Sequence, residues 1–314
     1  MPEGDTVFLA GRRLDQALGG KLLVRGELRH PRLVTVDLAG RTVREVATVG
    51  KHLLTRFDDD RTLHSHLRMD GAWHLYRPGQ PWRGGPMHMV RVILATADRV
   101  AVGYRLHDLE LVRTEHEHRL VGHLGPDLLD PAWGPRLAAE AAARLAARPD
   151  RELGLALLDQ TVMAGVGNLY RAEICFLLGA SPYSPVSTVD AGAAVELAHT
   201  LLERNAWRPE QATTGELRGG PQHWVYARTG KACLRCGSRV RSGRLGDPRN
   251  PVNDRTVYFC PSCQPMPPER LARSRGAGTA APGTAVPGTA ASDTAVPGTA
   301  LRAPASRRRP RSSG

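Results

Sequence analysis

Two pairs of cysteines place the strongest constraint on how this chain folds. Cys233 and Cys236 form the first pair, and Cys260 and Cys263 form the second after a gap of 23 residues. When each pair lies in a tight turn, four thiolates close a tetrahedron around one zinc ion, as in a zinc ribbon. Four thiolates leave no open coordination position, so we expect a structural Zn²⁺. A redox dithiol and plain core cysteines are the alternatives.

The remaining cysteine and the apolar pattern indicate the compartment. Cys175 lies in the apolar run 174–178, which predicts a small core residue. Five cysteines in 314 residues are too few for a disulfide scaffold. No apolar run approaches the ~18 residues that a membrane-spanning helix needs, and residues 1–5 are acidic where a secretion signal is basic. We therefore expect a cytoplasmic protein without a membrane partner.

The positive charge is concentrated in two segments. Of the net charge of +12, residues 228–263 and residues 266–314 each carry +6, and the rest of the chain sums to zero. This concentration is typical of a protein that binds the phosphate backbone of nucleic acid, whereas charge that serves only solubility would be spread out. The gap between the cysteine pairs has room for a hairpin that carries Arg241, Arg244, Arg249 and Arg255.

The first half of the chain predicts one helix followed by short strands. Apolar residues recur on one side of a helix over 5–18, and Gly19-Gly20 ends it. From 21 to about 106, β-rich runs are separated by Gly, Pro and Asp turns, which favours a β-sandwich or barrel. The predicted strands are 21–24, 33–38, 52–57, 62–67, 89–94 and 100–104.

The second half is predicted to be helical, with helices over 135–147, 151–161, 168–178 and 189–205. Past Gln264, Pro-Gly-Thr-Ala repeats and terminal arginines predict a disordered basic tail. The fold class is therefore α+β. Its predicted parts are an N-terminal β-sandwich domain with a flanking helix over 1–130, a helical domain over 131–227, a four-cysteine zinc finger over 228–264, and the tail over 265–314.

The amino terminus carries a chemical hypothesis. Removal of the initiator methionine is expected before a proline, so the working chain would begin at Pro2. A terminal proline presents a secondary amine that titrates near ~8. Such an amine can attack the C1′ carbon of a deoxyribose and form an imine-type intermediate. Glu3 could then act as general acid or base. Taken alone, a Met-Pro start is common, and an ordinary terminus is the alternative.

Both ends together resemble the formamidopyrimidine-DNA glycosylase/endonuclease VIII family over residues 2–264. The resemblance rests on the Met-Pro-Glu-Gly start and on the four-cysteine ribbon that ends in Arg-x-x-x-x-Cys-x-x-Cys-Gln. The other matching motifs are Gly50-Lys51, His66-Leu67-Arg68-Met69-Asp70-Gly71, Leu157-Leu158-Asp159-Gln160-Thr161, Ala164-Gly165-Val166-Gly167-Asn168-Leu169-Tyr170 and Val225-Tyr226-Ala227-Arg228.

The resemblance implies a bifunctional DNA glycosylase/AP lyase of base excision repair. DNA would lie between the β-sandwich and a helix-two-turn-helix domain with its zinc-ribbon hairpin. The partner would be double-stranded DNA with a damaged base or an abasic site, bound by a monomer associated with the nucleoid. The damaged nucleotide would be flipped out of the stack, Pro2 would attack with the help of Glu3, and β,δ-elimination would cut the strand.

The resemblance also implies roles for single residues. Lys51 would contact phosphate and donate a proton in β-elimination, and Arg255 would hold the phosphates beside the lesion and assist δ-elimination. Asn168 would bind phosphate together with the free N–H groups of a helix start; an ordinary helix cap is the alternative. Met69 would fill the gap left by the flipped base, unless it is a core methionine.

Two branches of the family compete. The Met-Pro-Glu-Gly start, the short stretch over 215–222 and Asp108-Leu109-Glu110 favour the endonuclease VIII-like branch, which removes oxidised pyrimidines, over the oxidised-purine branch. Thr6, His123 and Met69 depart from that pattern. Arg68, a candidate DNA-binding residue, and Asp70 flank Met69, and this charged pair is expected to alter which opposite base is tolerated. A non-catalytic zinc-ribbon DNA-binding protein is the alternative from another class.

One histidine pair is also considered. His64 and His66 alternate along a predicted strand, which could suggest a metal pair. Because no further ligand lies nearby in the sequence, we expect a structural role.

Overall fold

The computed structural model describes residues 2–246 and 254–268, which belong to one compact unit over Met1–Arg273. The predicted disordered tail therefore lies outside the described residues from position 269 onward, as does Arg249 of the predicted hairpin. Among the described residues, no helix is long and apolar enough to cross a membrane.

The first helix, α1, spans Gly4–Leu18 and confirms the prediction for this segment. Val7, Leu14 and Leu18 recur at helical spacing and are buried. Asp15 holds the last turn in place, because its carboxylate accepts a hydrogen bond from the backbone N–H of Val46 at 2.8 Å. The helix thereby covers one face of the sheet that follows it.

Nine strands follow α1 before the helical part of the chain. They are β1 Lys21–Leu22, β2 Arg25–Leu28, β3 Thr42–Val49, β4 His52–Phe57, β5 Arg61–His66, β6 Ala72–Tyr76, β7 Val90–Ala95, β8 Val100–Tyr104 and β9 Asp108–Arg113. They form two antiparallel sheets with the orders β1-β3-β4-β5-β9 and β2-β7-β8-β6. One apolar cluster draws side chains from both sheets and from α1, so the sheets pack face to face as a sandwich.

One predicted strand is wrong. Residues 33–38 form turns, in which the N–H of Leu33 bonds to the carbonyl of His30 and the N–H of Val36 bonds to that of Leu33. A single bridge from Asp37 to Glu27 is the only sheet contact there among the described residues. Leu38 is buried without belonging to a strand, so its apolar character was mistaken for a strand pattern. The prediction also missed β2, β3, β6 and β9.

The helices that follow the strands are α2 His118–Val121, α3 Pro135–Ala146, α4 Leu153–Ala156, α5 Asn168–Leu177 and α6 Ala191–Asn205. The helix predicted over 151–161 is much shorter, because Asp159 accepts hydrogen bonds from the backbone N–H and hydroxyl of Thr161 and thereby favours a turn. Strands β10 Arg241–Leu245 and β11 Arg255–Phe259 form the hairpin between the cysteine pairs.

The order of these elements agrees with the predicted α+β class. Ala172 and Phe176 of α5 pack with Val240 and Cys260 of the cysteine module in one apolar cluster. Helix α5 therefore packs directly against the cysteine module. Because all of these elements lie within one compact unit, the predicted boundaries at 130, 227 and 264 stay predictions.

Candidate active site

Glu3 is a fully buried candidate, and the start of α5 encloses its carboxylate. Its Oε1 accepts the N–H of Leu169 at 2.7 Å, and its Oε2 accepts those of Gly167 at 2.8 Å and Tyr170 at 3.3 Å. A helix start favours a negative charge through its free N–H groups and its dipole. A Cβ at position 167 would lie 2.4 Å from Glu3 Cδ, so glycine is required there. Pro2, which is half-buried, precedes this carboxylate.

Lys51 lies on the other side of the same loop. It follows β3, and its Nζ donates to the carbonyl of Val166 at 2.7 Å. Burial lowers the pKa of Lys51, while the Glu3 carboxylate acts in the opposite direction. Burial likewise raises the pKa of Glu3, against the effect of Lys51. The pKa values of the two side chains are thus shifted towards each other, as is common at catalytic sites.

Asp5 is a second buried carboxylate that the sequence analysis missed. Its Oδ2 accepts the hydroxyl of Tyr170 at 2.8 Å, and Nε2 of Gln211 lies 2.9 Å from both of its oxygens. Burial raises its pKa, and these hydrogen bonds lower it. The sequence signal that could have indicated Asp5 is a carboxylate on the buried face of α1. It lies next to Thr6, which departs from the family pattern.

Asn168 and Arg255 are joined through a residue that no motif indicated. Asn168 begins α5 and is half-buried, and its Oδ1 accepts a hydrogen bond from Nη2 of Arg171. The same Nη2 donates to the carbonyl of Thr256 at 2.7 Å. Arg255, the neighbour of Thr256, is exposed on β11 and contributes to lowering the pKa of Lys51. The structure therefore gathers Glu3, Lys51, Asn168 and Arg255 in one region.

Arg68 and Met69 lie on a separate turn after β5. Met69 is 65% exposed, which excludes the core alternative for this side chain. Arg68 has a positive φ of 48°. Its guanidinium makes a bidentate ion pair with Asp108, through Nε at 2.5 Å and Nη2 at 2.7 Å. Asp70 pairs with Arg105 and His107 instead. Among the described residues, no hydrogen bond or ion pair links this turn to Glu3 or Lys51.

The four predicted zinc ligands form one cluster. Their Sγ atoms all lie within 4.8 Å of one another, with 4.0 Å between Cys233 and Cys263 and 3.5 Å between Cys236 and Cys260. A disulfide needs ~2.05 Å, whereas four sulfurs at ~2.3 Å from a tetrahedral zinc stand about 3.8 Å apart. The cluster therefore fits a metal ion. Cys175 is fully buried in the helical core, as predicted.

The predicted histidine pair belongs to a larger cluster. His52 Nδ1 lies 2.8 Å from His64 Nε2, and the His52 ring also contacts the rings of His66 and His123. Burial lowers the pKa of His52 to about 3 and that of His66 to about 4. In the described part of the chain, only the four cysteines gather three or more ligand atoms closely enough for a metal.

Comparison with known proteins identifies the family. The model for the formamidopyrimidine-DNA glycosylase N-terminal domain matches residues 1–109. A probable endonuclease 8 of Streptomyces coelicolor is 54% identical over 273 residues, which cover 86% of this chain and 96% of that protein. The chain belongs to the formamidopyrimidine-DNA glycosylase/endonuclease VIII family. Within this family it is endonuclease VIII-like, as predicted.

Further members support this position in the family. The DNA-(apurinic or apyrimidinic site) lyase Nei2 of Mycolicibacterium smegmatis is 46% identical over 84% of this chain and 99% of that protein. Endonuclease 8 of Escherichia coli is 34% identical over 84% of this chain and all of that protein. Lactococcus lactis formamidopyrimidine-DNA glycosylase, solved with DNA that contains an abasic site, matches with a TM-score of 0.68 at 22% identity, over 84% of this chain and all of that chain. This last similarity supports the fold alone.

Proposed function

We propose that the chain is a bifunctional DNA glycosylase/AP lyase of base excision repair, which acts on double-stranded DNA with a damaged base or an abasic site. The observation that carries the proposal is the enclosed Glu3 carboxylate beside Pro2, with Lys51 on the same loop. The names of the relatives, endonuclease 8 and DNA-(apurinic or apyrimidinic site) lyase, support this activity.

In the first step, the Pro2 amine attacks C1′ once Met1 has been removed. The C1′–N bond to the base breaks, the base keeps the electron pair, and it takes up the proton that the amine releases. Opening of the C1′–O4′ bond needs one further proton on O4′, which Glu3 delivers. The product is a ring-opened iminium that joins Pro2 to the sugar. Burial raises the pKa of Glu3, which favours the protonated carboxyl that this role needs.

In the second step, the iminium acidifies C2′–H, and the Glu3 carboxylate left by the first step takes the C2′ proton. A C2′–C3′ double bond forms, and the C3′–O bond breaks while its electron pair leaves with the phosphate. We assign to Lys51 the phosphate contact and the proton that is donated in this step, and burial, which lowers its pKa, favours release of that proton. Arg255 then holds the 5′ phosphate during δ-elimination, in which C4′ loses its proton to water and the C5′–O bond breaks while its electron pair leaves with the phosphate. Asn168 contributes a neutral donor to the same backbone, whereas the N–H groups of Gly167, Leu169 and Tyr170 at the start of α5 are bound by Glu3.

For the four-cysteine cluster we propose one structural Zn²⁺. All four ligands are thiolates, the set that structural zinc prefers. The ion would hold the β10–β11 hairpin, and with it Arg255, over the DNA.

Trapping with borohydride tests the proposed reaction. Reduction of the iminium should join the chain covalently to an abasic-site duplex, and Pro2→Gly or a blocked terminus should reduce the yield strongly. A chain with a free Pro2 that forms no adduct would overturn the proposal. Binding to DNA without any strand cleavage would favour the non-catalytic zinc-ribbon protein instead.

We further propose that oxidised pyrimidines are the preferred lesions. The endonuclease 8 relatives support this preference, and so does Asp108, which pairs with Arg68 and belongs to the Asp108-Leu109-Glu110 segment that favours this branch. Excision from duplexes with thymine glycol or dihydrouracil should exceed that from 8-oxoguanine opposite cytosine. The reverse order would assign the chain to the oxidised-purine specificity.

A further inference from the structure

Arg171 is a buried cation without a charged partner. It has no exposed surface, yet no carboxylate forms an ion pair with it among residues 2–246 and 254–268. Its Nε and Nη1 also lack a hydrogen-bond partner within the described chain. Burial lowers the pKa of Arg171 to about 10, so it remains charged at neutral pH. A buried charge with unpaired donors destabilises a fold, and such sites occur where function demands them.

The first consequence concerns Asn168. A guanidinium has only donors, so the bond from Arg171 requires the oxygen of the Asn168 amide to face it. Its Nδ2 group must then point to the other side of the planar amide. Among the described residues Nδ2 makes no hydrogen bond, and Asn168 is half-buried. This orientation leaves the two N–H donors of the Asn168 amide for an oxygen ligand at the start of α5.

The second consequence concerns the cysteine module. The same Nη2 that holds Asn168 donates to the carbonyl of Thr256 at 2.7 Å, and Thr256 adjoins Arg255 on β11. Asn168 and Arg255 are far apart in the sequence, and Arg171 contacts the elements that carry both. The position of one phosphate-binding candidate is therefore linked to that of the other.

We propose that Arg171 is a positioning residue of the DNA phosphate site, which turns the Asn168 amide outward and fixes the strand that carries Arg255. This inference rests on the proposed function, because it takes Asn168 and Arg255 as phosphate ligands. Arg171 itself does not touch the DNA. It acts through these two residues, so its effect depends on their presence.

Double-mutant cycles test this dependence on a duplex with an uncleavable abasic analogue. Arg171→Met keeps most of the side-chain volume and removes the donors. It should weaken binding about tenfold to a hundredfold, the range for a lost hydrogen bond to a charged group. It should also lower the slope of log K against log salt by about 0.9, as expected when one cationic phosphate contact is lost.

The double mutants show whether Arg171 acts through Arg255 and Asn168. In an Arg255→Ala background, Arg171→Met should lower the salt slope no further, and in an Asn168→Ala background it should weaken binding less than in the wild type. Fully additive effects, or an unchanged slope, would overturn the inference. Arg171→Lys keeps the charge but has no fork of donors, so it should recover only part of the affinity.

Two controls separate positioning from folding. Phe176→Leu perturbs the same helix where it packs on the cysteine module, and it should lower the melting temperature without changing the salt slope. If Arg171→Met loses its bound zinc, the cycles are run with Arg171→Lys. Borohydride trapping of the wild type tests the proposed function separately. An adduct combined with additive cycles refutes the role of Arg171 alone, whereas coupled cycles without an adduct refute only the chemistry.

Discussion

The geometry around Glu3 requires a carboxylate and not merely a polar group. Both of its oxygens accept backbone N–H groups, so each must be an acceptor. In Glu3→Gln, the new NH₂ group would face at least one of those donors, and the side chain could no longer carry a proton. We expect excision of a damaged base to fall by about 10²–10⁴, the usual contribution of general acid–base catalysis.

The same substitution should affect the abasic substrate less, because no base has to leave. Excision from a thymine glycol duplex and borohydride trapping on an abasic duplex measure the two steps. Asp58→Asn, the same chemical change on an exposed turn, is the matched control and should leave both steps unchanged. Equal losses of Glu3→Gln on both substrates would show that Glu3 serves the imine step as much as base removal.

At the scale of elements, the outer face of β4 and β5 predicts a response to acid. His52 and His66 face each other across these strands, near Lys51, His64, His123 and Asp108. Their pKa values of about 3 and about 4 mean that the unfolded chain binds protons at pH 5 that the folded chain does not. The contribution of these two histidines to the free energy of unfolding is therefore fully present above about pH 6.5, and it is lost as the pH falls towards 4.

Each such histidine adds at most about 1.4 kcal/mol per pH unit to the slope of stability against pH. His52→Phe keeps the ring contacts but cannot titrate. Its melting temperature should therefore fall less than that of the wild type between pH 7.5 and pH 5. Thermal unfolding followed by circular dichroism at several pH values measures this difference. An identical fall in both proteins would show that the histidine cluster does not set the acid response.

The position of the cysteine module predicts that removal of its metal affects DNA binding before it affects the covalent chemistry. Glu3 and Lys51 are held by the loop before α5, whereas Arg255 is held by the hairpin between the cysteines. Removal of the metal by a chelator should therefore weaken DNA binding and reduce the salt slope first. The adduct formed at saturating DNA should persist. Cys236→Ser should behave in the same way, and a chelator that abolishes the adduct at saturation would contradict this order.

The sequence predicted the features that depend on local spacing. Each cysteine pair sets its own turn, so the metal cluster followed from the motif, and the apolar spacing of α1 and α5 predicted both helices within a few residues. Strand β3 was missed because charged residues interrupt its apolar positions. Residues 33–38 were mistaken for a strand because burial of Leu38 does not require sheet pairing.

The sequence indicated single residues of the candidate site but not the contacts between them. Motifs indicated Glu3, Lys51 and Asn168 one by one, but not that the start of α5 encloses Glu3, because that contact joins residues far apart in the sequence. Asp5 and Arg171 carried no motif. Their partners, Gln211 and Thr256, belong to other elements, and such contacts become visible only when the fold brings the elements together.

For the whole molecule, the site lies where the strands meet the helices. The N–H of Gly4 bonds to the carbonyl of Gly165 at 3.0 Å, and Lys51 reaches the carbonyl of Val166. The N–H of Gly50 likewise bonds to Asp127. The junction therefore depends on one loop before α5, which binds the amino terminus, the turn after β3 and the Glu3 carboxylate. Packing of the two parts therefore brings the residues of the candidate site together.

The C-terminal residues carry a prediction about DNA affinity. Residues 269–314, outside the described residues, hold eight arginines against Glu269 and Asp293, a net charge of +6. A chain that ends at Pro268 should cleave abasic DNA as fast as the full chain when DNA is saturating. Its non-specific affinity should fall, with a shallower dependence on salt, because each arginine that contacts a phosphate releases about 0.9 counterion.

A variant of full length separates charge from length. Glutamine at positions 307, 308, 309 and 311 removes four arginines of the tail, and it should reproduce about half of the lost salt dependence while keeping every residue. Binding titrations on undamaged duplex from low to physiological salt measure both effects. If the shortened chain lost its cooperative unfolding transition, the tail would belong to the fold, and its charge alone would no longer explain the change in affinity.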